Sequence, residues 1–297
     1  MHQTELLDPK NDYVFKRLFA DAPGLLVALI NAVRYAEPAI TAVEVLNPGI
    51  NPEELAGKYI VLDLLAEDVH GQRYNIEMQV RRYNAWSARS AYYLARLLGQ
   101  QLVKGEDYEK LKPAIGIHLL DFDLFQHKAH QEQACWHFEM RDRDQPGVKL
   151  GNELQLDIVE LRKADRLGLA PAPLKAWVTF IEHWQETAAM ADIDYEPVKE
   201  AMNKLITLSA DEEARRLAFV RERAIRDEAS LLKQARQEGM HSGVERALRC
   251  LIQVRFGAIP AWADERLSLA SDEQLDGWIV QILSANSLED LFAETIG

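Results

Sequence analysis

Residues 59 to 80 read YIVLDLLAEDVHGQRYNIEMQV, and this stretch constrains the fold more than any other. Two segments rich in apolar and β-branched residues flank Val69-His70-Gly71, which is the pattern of a β-hairpin closed by a short turn. Both strands carry acids. Asp63 sits among Ile60, Val61, Leu62, Leu64 and Leu65, apolar on both faces, and on the second strand Glu77 and Gln79 share one face while Ile76, Met78 and Val80 share the other. If the loop is three residues, with Gly71 in the left-handed conformation that only glycine adopts cheaply, Asp68 closes against Gln72 and Asp63 falls opposite Glu77. A two-residue loop at His70-Gly71 would instead oppose Asp63 to Met78.

Opposed residues point to the same face with Cβ atoms about 4.5 to 5.5 Å apart, and like charges so placed destabilise a sheet unless a cation lies between them or one takes up a proton. A hard divalent cation is the economical explanation. Mg²⁺ usually takes one or two protein carboxylates, so Asp63 and Glu77 with the backbone carbonyl of Met78 form a candidate ligand set. The alternative is a buried acid paired with an arginine of the following helix, such as Arg89 or Arg96.

The rest of the chain places this hairpin in an α/β domain. Residues 11 to 33 predict a helix, a break near Pro23-Gly24 and a second apolar helix. ITAVEVL at 40 to 46 predicts a strand, residues 85 to 104 a helix, KPAIGIHLLDF at 112 to 122 a buried strand, and CWHFEMRD and ELQLDIVEL two more. This domain is expected to end near residue 165. Helices are expected thereafter. Leu174, Trp177, Val178, Ile181 and Trp184 recur at helical spacing, and Asp211 to Glu238 reads as one helix of about 28 residues, roughly 42 Å long, capped by Ser209 with Glu212. Such a helix suits an arm, a dimer-forming element or a fold back onto its own domain. Gly239 is expected to break it, Ser242 with Glu245 to cap a new helix ending at Gly257, and Ser271 to cap a further one. The expected division is therefore 1–165, 166–238 and 239–297.

With 297 residues, 48% of them hydrophobic, a packed core is expected, and no run approaches the roughly 18 to 20 apolar residues of a membrane span. A cytoplasmic protein is expected, with no membrane partner and with Cys135 and Cys250 reduced and packed in the fold. The net charge of −13 excludes a protein that coats nucleic acid non-specifically. Residues 73 to 104 are the exception, because Arg73, Arg81, Arg82, Arg89, Arg96 and Lys104 outnumber the acids there. A phosphate-binding face and a merely solvated helix face both fit that run.

Taken together, PKNDYVFKRLF, VEVLNPGI, LDLLAED with GQRYNIEMQV, ARSAYYLARLLGQQLVKGEDYEKLKPAIGIHLLDF and ELQLDIVEL, in this order over residues 8 to 165, resemble the bacterial family of recombination-promoting nucleases and transposases within the PD-(D/E)xK superfamily. The segment from Leu248 to Phe292 resembles, more loosely, a small helical module appended to such domains. The resemblance implies a restriction-endonuclease-like mixed sheet flanked by helices and followed by an all-α C-terminal region. It also implies an Mg²⁺-dependent DNA endonuclease, with Mn²⁺ or Ca²⁺ as substitutes, acting in recombination, mobile-element movement or defence. Asp63 and Glu77 would be its metal-binding acids, and Gln79 would stand where the superfamily usually has lysine. Glutamine can orient by hydrogen bonds but cannot supply lysine's charge.

Arg89, Tyr92, Tyr93 and Arg96 lie at offsets of three and four, so at least three share a helix face and can serve phosphate contacts; the alternative has the tyrosines packed on the sheet. Asp12 and Lys16, one helical turn apart, can join the site, Asp12 as an additional acid, or simply form an ion pair. His118, Asp121 and Asp123 carry no assignment. DNA is the expected substrate, although RNA presents similar phosphate chemistry. The competing reading is a catalytically silent protein with the nuclease fold that acts through its helical C-terminus, by oligomerisation or partner binding; in either reading a homo-oligomer, as a dimer, is the expected assembly. Met240, just after the expected break, also begins a stretch of 58 residues that would form a separate helical unit if translation started there.

Overall fold

In the computed structural model the hairpin takes the three-residue turn. The structure describes residues 5–47, 49, 63–82, 85–168 and 170–293. Strands β2 (Leu64–Asp68) and β3 (Arg73–Gln79) pair antiparallel, Leu64 with Ile76, Leu65 with Asn75, Ala66 with Tyr74 and Glu67 with Arg73. The Asp68 N–H donates to the Gln72 carbonyl at 3.0 Å, and Gly71 has φ of +80°, where a side chain would be strained. Asp63 immediately precedes β2, so the same register sets it opposite Glu77. Ile60, Val61 and Leu62, the apolar neighbours read from the sequence, lie outside the described residues.

The hairpin belongs to a six-stranded sheet. β1 (Val43–Val45) pairs antiparallel with β2 at one edge, and β4 (Ala114–Leu120) runs parallel to β3. β6 (Leu154–Glu160) is parallel to β4, and β5 (Cys135–Glu139) closes the other edge antiparallel to β6, giving the order β1-β2-β3-β4-β6-β5. Alternation along each strand sorts side chains onto two faces. Leu64, Ala66, Tyr74, Ile76, Met78, Ile115, Ile117, Leu119 and Val159 are buried in one large core. That core is completed by helices α1 (Asp12–Ala20), α2 (Pro23–Val33), α5 (Ala172–His183), α7 (Glu196–Ala210) and the start of α8 (Glu212–Phe256). Asn11 caps α1 by accepting from the backbone N–H groups of Tyr13 and Val14, and Pro23 opens α2 in the first turn, where its missing N–H has no intrahelical partner to lose.

The opposite face carries Asn75, Glu77, Gln79, Gly116, His118 and Leu120. Helix α3 (Trp86–Gly99) covers it with Trp86, Leu94 and Leu97, against Leu120 and Ile158 at one end and Ala114 at the other. Gly116 is the close approach that makes room, since a Cβ there would lie 2.8 Å from Leu156 Cδ1 and 3.3 Å from His118 Nε2. Beyond β6, α4 (Leu161–Leu167) begins with a buried lock: the Glu160 carboxylate accepts from the Leu124 and Phe125 N–H groups, from Trp136 Nε1 and from Lys163 Nζ.

By its contacts the chain divides into two units, Met1–Ala224 and Ile225–Gly297. In the second, Leu248, Ile252, Leu267, Leu275, Trp278 and Leu291 surround Phe292, whose ring meets Trp278 edge-on at 4.6 Å. Several expectations for the helical part are corrected. The helix read as Asp211 to Glu238 runs on to Phe256, through Gly239 and Ser242, so neither the break nor the second capping box exists. Met240 consequently lies inside a helix. Asp211, whose carboxylate accepts from the Ala214 N–H at 2.7 Å, caps α8 in place of Ser209, which donates to the Leu205 carbonyl and accepts from the Leu7 N–H. Ser271 does cap its helix, α10 (Asp272–Gln281), with both halves of the capping box formed through Gln274. Cys250 is exposed rather than packed. Among the described residues no helix is long and apolar enough to cross a membrane.

Candidate active site

The polar row of β3 meets α3 at its first residue. Trp86 Nε1 donates to Gln79 Oε1 at 2.5 Å, and Gln79 Nε2 donates to Glu77 Oε2 at 2.6 Å. An indole N–H only donates, so it fixes which end of the Gln79 amide faces Trp86 and turns the NH₂ toward Glu77. Asn75 Nδ2 donates to the other carboxylate oxygen, Glu77 Oε1, at 3.0 Å. Glu77 is thus held from both sides along one face, by residues two positions before and after it. Across the parallel pair with β4, His118 places Nδ1 3.5 Å from Glu77 Oε2, and the Trp86 ring stands edge-on to the imidazole at 5.1 Å. Burial depresses His118 to about 4, so the imidazole is neutral at pH 7.

Asp63 comes from the neighbouring strand. Asn47, just after β1, ties down its backbone by donating to the Asp63 carbonyl at 3.2 Å and accepting from the Leu65 N–H at 2.7 Å, with a longer contact of 3.5 Å to Asp63 Oδ1. Burial raises the Asp63 pKa and the charge of Glu77 raises it further, while Lys16 and Asn47 oppose the shift. Glu77 is raised by burial as well, against the hydrogen bonds from Asn75 and Gln79 and the charge of Arg89. Two facing carboxylates whose surroundings resist ionisation are short of positive charge.

That shortage and the donor chemistry fit a hard divalent cation. Asn75 Oδ1 and His118 Nδ1 are buried beside Glu77 without a hydrogen-bond partner, which buried polar atoms rarely lack unless another group completes the site. Among the described residues no group of three or more His, Cys, Asp or Glu side chains is placed to hold a metal. A cation held by described side chains would therefore rest on Asp63 and Glu77, within the one or two carboxylates that Mg²⁺ usually takes.

The other residues singled out from the sequence fall in three places. Arg89 acts electrostatically on Glu77 and lies over the Tyr93 ring at 5.5 Å, while Arg96 lies over Tyr92 at 6.0 Å. Tyr92 and Tyr93 are 59% and 42% exposed, which overturns the alternative that they pack on the sheet. Lys16 is buried in α1 with its charge bearing on Asp63. The Asp12 carboxylate is gripped by Arg221 of α8, with contacts of 2.6 to 3.0 Å, a distant partner that local spacing did not suggest. The Met78 side chain is buried in the core on the far face. Asp121 and Asp123 are tied to Arg162 and Arg166.

Sequence reasoning missed Asn47, Asn75 and Trp86, and it named His118 without giving it a role. Asn75 obeys the same two-residue period as Glu77 and Gln79, which was a usable signal. The others are brought in by strand order and helix packing, which no local spacing encodes. No curated protein and no solved structure matches this chain. A family model described as PD-(D/E)XK nuclease family transposase matches residues 9–235, from before α1 into α8 and across the whole sheet. The chain belongs to the PD-(D/E)XK nuclease family transposases.

Proposed function

We propose that this family member is a DNA endonuclease that uses Mg²⁺, held by Asp63 and Glu77 with the Met78 backbone carbonyl, to hydrolyse phosphodiester bonds. The observation that carries the reading is the pair of carboxylates opposed by the register of β2 and β3, with Glu77 buried and both pKa values raised by burial. A bound divalent cation would supply charge for the scissile phosphate and acidify a nearby water. The chain's own residues do the rest. Gln79, locked by Trp86, and Asn75 fix the Glu77 carboxylate in one orientation, which a cation site requires and a swinging side chain would spoil. Lys16 offsets the negative charge at Asp63 and replaces part of the charge that a lysine at position 79 would bring. Arg89, beside Glu77, is the cation assigned to a phosphate oxygen of the bound strand.

Supercoiled plasmid is the test substrate, incubated with Mg²⁺, with EDTA, and with folded Asp63→Ala and Glu77→Ala proteins. Metal-dependent nicking or linearisation that falls at least a hundred-fold in both variants is expected. Absence of cutting by folded wild-type protein on DNA and on RNA, with Mg²⁺ and with Mn²⁺, would defeat the reading in favour of a catalytically silent family member.

A further inference from the structure

We propose that the DNA acted on has unpaired bases beside the scissile phosphate, and that Tyr92 and Tyr93 of α3 are the platform on which those bases stack. The inference rests on the nuclease reading for the position of the phosphate, but the platform stands on its own observations. Trp86, Leu94 and Leu97 bury one stripe of α3. Along the adjoining flank, Arg89 lies over Tyr93, Tyr93 meets Tyr92 edge-on at 5.6 Å, and Arg96 lies over Tyr92, an alternating array of guanidinium and ring. Both rings are open to solvent. Each ring already has a guanidinium over it, and a planar base would stack on the exposed part of the ring or take the place of that guanidinium.

The two arginines of this flank belong to the most basic stretch of an acidic chain. From Met78 to Gly105 the chain has five cationic residues, Arg81, Arg82, Arg89, Arg96 and Lys104, and not one Asp or Glu, although the whole chain carries −13. Cations with interleaved exposed aromatics are the recognition chemistry of single-stranded nucleic acid: the cations follow the backbone and the rings take the bases, each stacked base contributing without regard to sequence. A paired duplex offers its phosphates but hides the faces of its bases, so it would use the arginines and leave both tyrosines idle. The platform starts at the site itself. Trp86 touches Gln79, Arg89 acts on Glu77, and Tyr93 lies seven residues beyond Trp86, about 10 Å along the helix axis or roughly three stacked nucleotides. The stacked bases would therefore sit within a few nucleotides of the phosphate to be cut, as at a bubble, fork, frayed end or single strand.

The test separates binding from cutting. Fluorescein-labelled 40-mers, one fully paired and one of the same length with a six-nucleotide bubble, are titrated with full-length protein in EDTA and read by anisotropy. Wild-type protein is expected to bind the bubble at least ten-fold more tightly than the duplex. Tyr92→Ala with Tyr93→Ala should remove that preference while leaving duplex affinity within two-fold, and Tyr92→Phe with Tyr93→Phe, which keeps the rings, should restore it. Equal affinity of wild-type protein for the two DNAs would overturn the proposal, as would a double alanine variant that still prefers the bubble. Because no metal is present, a bubble preference without any cleavage in Mg²⁺ would defeat the nuclease reading alone, whereas cleavage without the preference would defeat the platform alone.

Discussion

At the scale of single residues the site turns on how a glutamine works where charge is wanted. Gln79 contributes geometry, because its amide is spent between the Trp86 indole and the Glu77 carboxylate. Trp86→Phe keeps the ring against His118 but removes the donor that orients the amide. Cleavage is expected to fall about ten-fold, equivalent to roughly 1.4 kcal/mol, and stability to fall by about 1–3 kcal/mol, because Gln79 Oε1 is left buried without its donor. Asp63 shows the opposite balance of stability and function. Its pKa is raised by burial and by Glu77, so the folded state holds a proton more tightly than the unfolded chain does. Stability from this group is fully present below the unfolded pKa near 3.8 and is lost as pH rises through the higher folded value. Asp63→Asn, which keeps an oxygen for Asn47, should therefore raise the melting temperature at pH 7.5 in EDTA and flatten its decline with pH. Mg²⁺ should raise the melting temperature of the wild type only. A variant no more stable than wild type, or one still stabilised by Mg²⁺, would contradict this account of the pair. Part of this was legible in the sequence: turn chemistry allowed a three-residue loop ending at Gly71 or a two-residue loop at His70-Gly71, and the three-residue register that the structure has is the one that opposes Asp63 to Glu77. The two-residue period also held Asn75, unnoticed because an asparagine on a strand carries no chemistry until its neighbours are known. His118 and Trp86 were not legible, since their places depend on β4 lying parallel beside β3 and on α3 crossing that face.

Among the elements, strands were located from sequence better than helix ends, and the physical reason shows at two serines and a glycine. Ser271 and Gln274 satisfy each other's neighbouring backbone groups, so the local pattern is self-sufficient and the cap forms as read. Ser209 has the same pattern with Glu212, but it lies in the last turn of α7, where its hydroxyl finds the Leu205 carbonyl, and Asp211 is left to cap α8. Gly239 was read as a terminator because glycine commonly ends helices in the left-handed conformation. Here it has no positive φ, and the helix passes through it at the ordinary cost of glycine in a helix interior. A Cβ added at Gly239 or at Gly243 would meet nothing within 4 Å. Gly239→Ala and Gly243→Ala are each expected to stabilise the helix by about 0.5–1 kcal/mol, read as slower amide exchange between residues 235 and 247. Faster exchange in either variant would mean that the glycine is needed as a break after all. The cysteines give a second check on packing. Burial and the charge of Glu160 push the Cys135 thiol up to about 11, so at pH 8 one equivalent of a maleimide should label the exposed Cys250 and spare Cys135 until the protein is unfolded.

For the whole molecule the proposed reading raises the question of how a chain of net charge −13 would hold a polyanion. The answer proposed from the acid-free stretch from Met78 to Gly105 is segregation: the cations assigned to DNA lie on α3 and the residues either side of it, in the stretch that follows Glu77, while the acids lie elsewhere in the sequence. Counterion release makes this measurable. If the five cations of that stretch contact phosphates of a single strand, each contributing about 0.7 to the slope of log K against log salt, the slope should approach about −3.5 between 50 and 300 mM KCl. Arg89→Gln should lower its magnitude by about 0.7, and Arg96→Gln by a similar amount, with the two changes adding because each removes one contact. The tyrosine double alanine variant should weaken binding at every salt concentration yet leave the slope unaltered, since stacking releases no counterions. This contrast distinguishes charge from stacking in one set of titrations. A slope near zero in wild-type protein would mean that the acid-free stretch does not carry the strand, that DNA does not lie along α3 and that Arg89 does not hold a phosphate. A steep slope that survives both arginine substitutions would instead assign the strand to other cations and leave the carboxylate pair to be reached along a different surface.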